Sequence, residues 1–363
     1  MVQIPPRCLF AVACLAGFGL LPLLQSASAQ ENFFAGKTIR IIVGTGSGGG
    51  YDGAARLTAR YLGKYIPGNP SFVVENMPGA SGIKATNFLY EAAPKDGTVL
   101  ATVNNSMPVY QAISQPGVRF RAEELNWIGS LLQTATTISI WHTAGVKTID
   151  EAKRKEVIMG ATGAAGTKAA YPQLLNNTLG TKFKIVTGYE GGNTLRLAME
   201  RGEVQGDGSA RWSSWKSTKP DWVRDNKVIA LVQIGLKKDD DLPNVPLLTE
   251  LAQNEEQRKM FEFISQPIAM QQPFVGPPGI PADRVILLRR AFDAMTRDPA
   301  FRKEVEQLDL ELDPVSGEEM QKIVHAIVET PSDIVQKVQA ATAVNMDGPK
   351  APGAGKAGGG GAE

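Results

Sequence analysis

The sequence predicts an α/β protein in two domains, and three observations carry that prediction. Short β-branched runs alternate with amphipathic stretches along most of the 363 residues. Glycine-rich turns join a run to the amphipathic stretch that follows it. The same layout of strand, glycine turn and helix occurs near the start, from Ile39, and again from Val157. Alternation of this kind marks α/β layering with a largely parallel sheet, and the chain is long enough for two ordinary domains.

The first 29 residues read as a secretory leader. Arg7 is its one charge, Leu9 to Leu24 is apolar, and Ala27-Ser28-Ala29 forms a small-residue cleavage signal. The expectation is cleavage after Ala29 and a periplasmic mature protein. Cys8 and Cys14, the two cysteines, leave with the leader, so disulfides, cysteine nucleophiles and zinc–thiolate sites are excluded from the mature chain. Loss of Arg7 leaves 37 basic residues against 37 acidic ones, a balance that recommends no nucleic-acid partner.

Ile39 to Val43 predicts a buried strand, and Asp52 to Tyr65 a helix with Ala54, Leu57, Tyr61, Leu62 and Tyr65 on one face. Strands at Ser71 to Glu75 and Thr98 to Val103 flank a helix over Ile83 to Ala92. Trp127 to Leu132 and Thr136 to Trp141 follow as β-rich runs. Thr148 with Glu151 makes a capping box. The second unit has a strand at Val157 to Ala161, the turn GATGAAGT and a helix over Lys168 to Leu179. A strand at Phe183 to Thr187, the turn GYEGGN, a helix over Thr194 to Arg201 and a strand at Val228 to Ile234 complete it. The loop KKDDDLPNVP lacks the ligand spacing of a calcium loop. From Phe274 onward the pattern predicts helices, with Pro281 to Arg297 the longest and Ser316 with Glu319 a second capping box. Residues 347–363, DGPKAPGAGKAGGGGAE, predict a disordered tail. The expected domains are 30–140 with 265–346, and an inserted domain, 141–264.

Little in the chain points to catalysis. His142 ends an apolar strand and His325 sits on the wet face of the last helix pattern, so neither is expected to ligate a metal. Ser81 and Lys84 match SxxK without the other acylase elements, and no GK[ST] closes the first glycine run. Gly44, Gly46 and Gly49 do match GxGxxG between a strand and a helix, which leaves a dinucleotide reading open. Three glycine-rich turns favour a broader one: backbone N–H groups and helix N-termini gathered around an anion in a cleft. Neither a cofactor nor a metal is expected.

Specific motifs then narrow the field. Gly48 to Arg56 fits GGxxDxxAR, Glu75 to Gly82 fits ENxPGAxG, and Leu242 to Pro246 and Pro277 to Pro281 follow in order. The chain resembles the Bug family, the periplasmic receptors of tripartite tricarboxylate transporters. That resemblance implies a type II, clamshell-like binding-protein fold with a central mixed sheet in each domain. It implies a monomeric, non-enzymatic receptor that holds a small organic carboxylate and docks on permease subunits. The implied ligand contacts are Ser47, Gly48, Gly49, Gly50, Tyr51, Asp52, Asn104 and Ser106 from the first domain. From the second come Thr162, Gly163, Ala165, Gly166, Thr167, Tyr189, Gly191 and Arg211.

Two departures bear on the ligand. Gly163 to Lys168 lacks the family's histidine, and Asp207 to Trp212 is polar and aromatic where the family runs into an apolar strand. Arg211 either grips a carboxylate or lies on the surface, and Trp212 or Tyr189 is a candidate cover for an apolar ligand body. Asp52 either caps and orients the first turn or faces the ligand. A secreted enzyme binding a nucleotide, and a receptor for a sensor kinase, are the alternative functions.

Overall fold

The computed structural model describes residues 1, 33–48, 50–164, 166–189, 192–308, 310–344 and 349–351. The expected leader, its cleavage point and most of the expected tail lie outside the described residues. The strands are β1 (Thr38–Val43), β2 (Ser71–Asn76), β3 (Val99–Thr102), β4 (Asn126–Leu132), β5 (Thr136–Trp141) and β6 (Val157–Ala161). They continue with β7 (Phe183–Thr187), β8 (Gly206–Arg211), β9 (Val228–Ile234), β10 (Gln271–Gly276) and β11 (Val315–Ser316). Helices of nine residues or more are α1 (Gly50–Tyr61), α2 (Ile83–Glu91), α3 (Thr167–Leu179), α4 (Gly192–Glu200) and α5 (Glu255–Ser265). After them come α6 (Ala282–Arg297), α7 (Pro299–Gln307), α8 (Gly317–Val328) and α9 (Ser332–Thr342).

Two mixed sheets result. The first runs β11-β4-β10-β3-β1-β2 and the second β7-β6-β8-β5-β9. In each, an initial βαβ unit supplies the parallel half: β1 lies between β2 and β3, and β6 between β7 and β8. Other strands join antiparallel, β10 and β4 in the first sheet and β5 and β9 in the second. Ile39, Ile41, Val43, Leu57, Phe274, Phe292 and Phe301 form one core under the first sheet. Burial of each such side chain is worth about 1.5–3 kcal/mol. Gly129 is required there, because a Cβ on it would fall 2.3 Å from the Phe292 ring.

Pairing corrects several expectations. β5 bonds with β8 and β9, so the chain crosses between sheets at 133–135, and a boundary at residue 140 would cut a strand of the second sheet. The stretch 265–346 does not all return to the first sheet. α9 buries Ile334, Val335 and Val338 and packs on α3 and α5, and Asn177 Nδ2 donates to the Ala341 carbonyl at 2.9 Å. β10 occupies sequence expected to open a helical region. Its pattern is masked by Gln271, Gln272 and Pro273, and Gln272 sits at φ 55°, a left-handed conformation that a side chain strains. β8, GDGSAR, which lacks any apolar alternation, is an interior strand of the second sheet. At the far edge, Thr187 of β7 donates its N–H to the Pro349 carbonyl and accepts from Ala351 N. The described part of the expected tail is thus paired.

Candidate functional site

The first glycine turn is shaped by a single carboxylate. Asp52, 3% exposed, accepts from Gly48 N at 2.9 Å, from Arg56 Nε and Nη2 at 3.0 Å each, and from Asn76 Nδ2 at 2.9 Å. Ser47 Oγ approaches it at 3.4 Å, and Asn76 Nδ2 also donates to the Thr45 carbonyl. The Arg56 guanidinium, the Gly48 N–H and the Asn76 amide hold the Asp52 carboxyl far below the usual carboxylate range. Asp52 thereby ties the end of β2 to the turn before α1. Gly48 bends back at φ +85°, a region open to glycine, and nothing stands near Gly46 or Gly48 on the side a Cβ would occupy. The next residues continue the wall: Tyr51 Oη accepts from Asn105 N at 3.4 Å, and Asn104 Oδ1 accepts from Ser106 N at 2.9 Å. Burial pushes the Tyr51 phenol up.

The facing wall is built on β8. Its register against β5 advances from Asp207 to Ala210 while β5 moves only from Ser139 back to Thr137, so β8 holds one extra residue. A bulge of this kind bends a strand and re-aims its side chains. Gly208 allows α3 to approach there, since a Cβ would lie 2.2 Å from the Lys168 carbonyl oxygen. Lys168 Nζ reaches Asp207 Oδ1 and Oδ2 at 2.5 and 2.6 Å and the Ser209 carbonyl at 2.7 Å. Its three donors are all used. Burial raises the Asp207 carboxyl above its ordinary value even with Lys168 beside it. Ser209 Oγ lies 3.1 Å from Thr167 Oγ1 and 3.3 Å from Thr136 Oγ1, joining α3, β8 and β5 through hydroxyls.

Arg211 ends β8 and leads directly into the helix Trp212–Thr218. That helix is anchored by Trp215, whose Nε1 donates to Ser139 Oγ at 3.1 Å and whose ring stacks on Trp222 at 5.7 Å. The anchor fixes the base of Arg211 and leaves its side chain about half exposed.

Two neighbouring cavities share Arg211. One, of about 590 Å³, is lined by Ser106, Thr136, Thr167, Arg196, Ser209 and Arg211, with an apolar contribution from helices. The other, of about 670 Å³, is lined by Gly48, Gly50, Arg211, Ser214, Gln272 and Glu311. Among the expected ligand contacts, Gly48, Gly50, Ser106, Thr167 and Arg211 are brought to these cavities. Ser47, Tyr51, Asp52 and Asn104 support the first wall. Thr162 and Gly163 lie in the second turn and line neither cavity, Gly163 accepting from Gly166 N at 3.3 Å. Gly49, Ala165 and Gly191 lie outside the described residues. Tyr189 and Trp212 pack into the apolar cluster of the second sheet and are buried, so neither covers a ligand in this conformation. Sequence reasoning missed Arg196, Thr136 and Ser209. Arg196 carried a weak signal, one turn into the helix that opens at a glycine turn.

A model of the tripartite tricarboxylate transporter family receptor matches residues 55–340. A curated UPF0065 protein of Bordetella bronchiseptica is 27% identical over 172 residues, 45% of this chain. The chain spans about half the length of that curated relative. Among solved structures, a TctC solute-binding protein from Polaromonas, without ligand, is similar at TM-score 0.66 and 18% identity, covering 83% of this chain and 99% of its own. The R. palustris protein Rpa4515, solved with adipate, is similar at TM-score 0.55 and 18% identity, covering 85% of this chain and 97% of its own. These likenesses establish the two-domain binding-protein fold.

Proposed function

The chain belongs to the tripartite tricarboxylate transporter receptor family, and from that premise we propose that it captures an organic carboxylate in the periplasm and presents it to a membrane permease. The observation that carries the proposal is the cavity of about 590 Å³ between the sheets, where Arg211 and Arg196 stand with the hydroxyls of Thr136, Thr167 and Ser209. Guanidinium groups pair with carboxylates through parallel N–H donors, and hydroxyls complete the remaining acceptors. Lys168 is neutralised by Asp207, so the charge offered to a ligand comes from the two arginines. Adipate in Rpa4515 is a carboxylate bound by a protein of the same fold. Closure of one sheet domain over the other would bury the ligand and mark occupancy for the permease.

Thermal unfolding of ligand-stripped protein against mono-, di- and tricarboxylates tests the proposal. A carboxylate at one hundred times its dissociation constant adds about 2.7 kcal/mol and raises the melting temperature. A library in which no carboxylate shifts unfolding contradicts it.

A further inference from the structure

The cavity beside Arg211 is divided by chemistry, and the division follows the elements that build it. Its cations come from α3, α4 and β8, as Lys168, Arg196 and Arg211, and Lys168 is spent on Asp207. Arg196 donates to Asn193 Oδ1 at 2.6 Å, and the acid paired with Arg211, Glu311, stands 4.0 Å off and lines the second cavity. Across from them, α9, the end of α5, the turn after it and the helix Met107–Ala112 with its cap contribute Val338, Ile264, Ile268 and Ile113. That side brings no cation, and two of its polar groups are engaged internally: Asn105 Nδ2 donates to the Pro267 carbonyl at 2.7 Å and Thr342 Oγ1 to the Val338 carbonyl at 2.7 Å.

Resting on the carboxylate-receptor reading above, we propose that this cavity selects a monocarboxylate with an apolar body, an alkyl or aryl acid. Arg211 and Arg196 take the carboxylate, and Ile113, Ile264, Ile268 and Val338 take the body. A second carboxylate would lie against a wall that offers no cation, and a charge desolvated without a counter-charge is strongly disfavoured. An apolar chain on the same wall gains with every methylene removed from water.

Calorimetric titration of the full, ligand-stripped chain with butyrate, pentanoate, hexanoate and benzoate, against succinate, adipate and hexanamide, decides the matter on the wild type alone. The expected result is a rise in affinity of about fourfold per methylene from butyrate to hexanoate. Adipate binds about tenfold or more weakly than hexanoate and hexanamide gives no heat of binding, because each lacks one half of the match. Arg211→Gln lowers hexanoate affinity about tenfold or more, and Ile268→Asn flattens the chain-length slope. Succinate or adipate binding as tightly as hexanoate overturns this proposal and leaves the carboxylate receptor standing. Absence of binding by every acid overturns both.

Discussion

Asp52 and Asp298 do the same job at opposite ends of the chain, each holding distant segments together through a buried carboxylate. Asp298 caps α7 through Ala300 N at 2.8 Å and accepts from Lys64 Nζ at 2.8 Å and from the Tyr65 hydroxyl, locking the first αβ unit to the C-terminal helices. Lys64, then Tyr65 and the Ala300 N–H, lower the Asp298 carboxyl to about 2. A carboxyl whose pKa is lower folded than unfolded stabilises the fold above the unfolded value and loses that contribution as pH falls through the folded one. Stability from this group should thus fade between roughly pH 4 and pH 2. Urea denaturation across that range is expected to find Asp298→Asn less stable than wild type at neutral pH, with the gap closing toward pH 2. A gap that stays constant with pH would contradict the account. The motif residues Asp52, Arg56 and Asn76 were legible in the sequence as a pattern, but their purpose was not. Spacings of 4 and 24 residues do not reveal that one carboxylate gathers both partners.

At the scale of elements, β5, β6, β7 and β9 have the bounds that their β-branched runs predict, because apolar strands between turn residues carry their own signal. β8 was invisible for the opposite reason. GDGSAR has no apolar alternation, and what lets it lie inside a sheet is tertiary: Lys168 neutralises Asp207 across 39 residues and Thr167 and Thr136 meet Ser209. Gly208 is the hinge of that arrangement, set against the start of α3 where backbone cannot yield. Gly208→Ala should cost about 1–3 kcal/mol and lower the melting temperature by several degrees. It should also weaken ligand binding, since Thr167 and Arg211 flank the disturbed segment. Unchanged stability would mean that α3 and β8 are less closely fitted than the distances indicate. α9 lies beyond the last helix read from the sequence, and its packing on α3 and α5 depends on where those helices lie.

For the whole molecule, the alternating pattern foretold two α/β units; it pointed to largely parallel sheets, whereas both sheets are mixed, as the family resemblance implied. The glycine turns were legible because glycine is needed wherever backbone bends back or a helix crowds a strand. The apolar side of the cavity was not, because its residues come from three stretches far apart in sequence, around Ile113, Ile264 to Ile268 and Val338, and look individually like ordinary core. The central claim is that the cleft at Arg211 is a carboxylate site. The most direct measurement is mass spectrometry of the compound released from protein purified without denaturation, wild type beside Arg211→Gln. A stoichiometric organic acid, released by the wild type and depleted in the folded variant, is the predicted result. A nucleotide or an uncharged compound, or an acid retained equally by both proteins, would contradict the account.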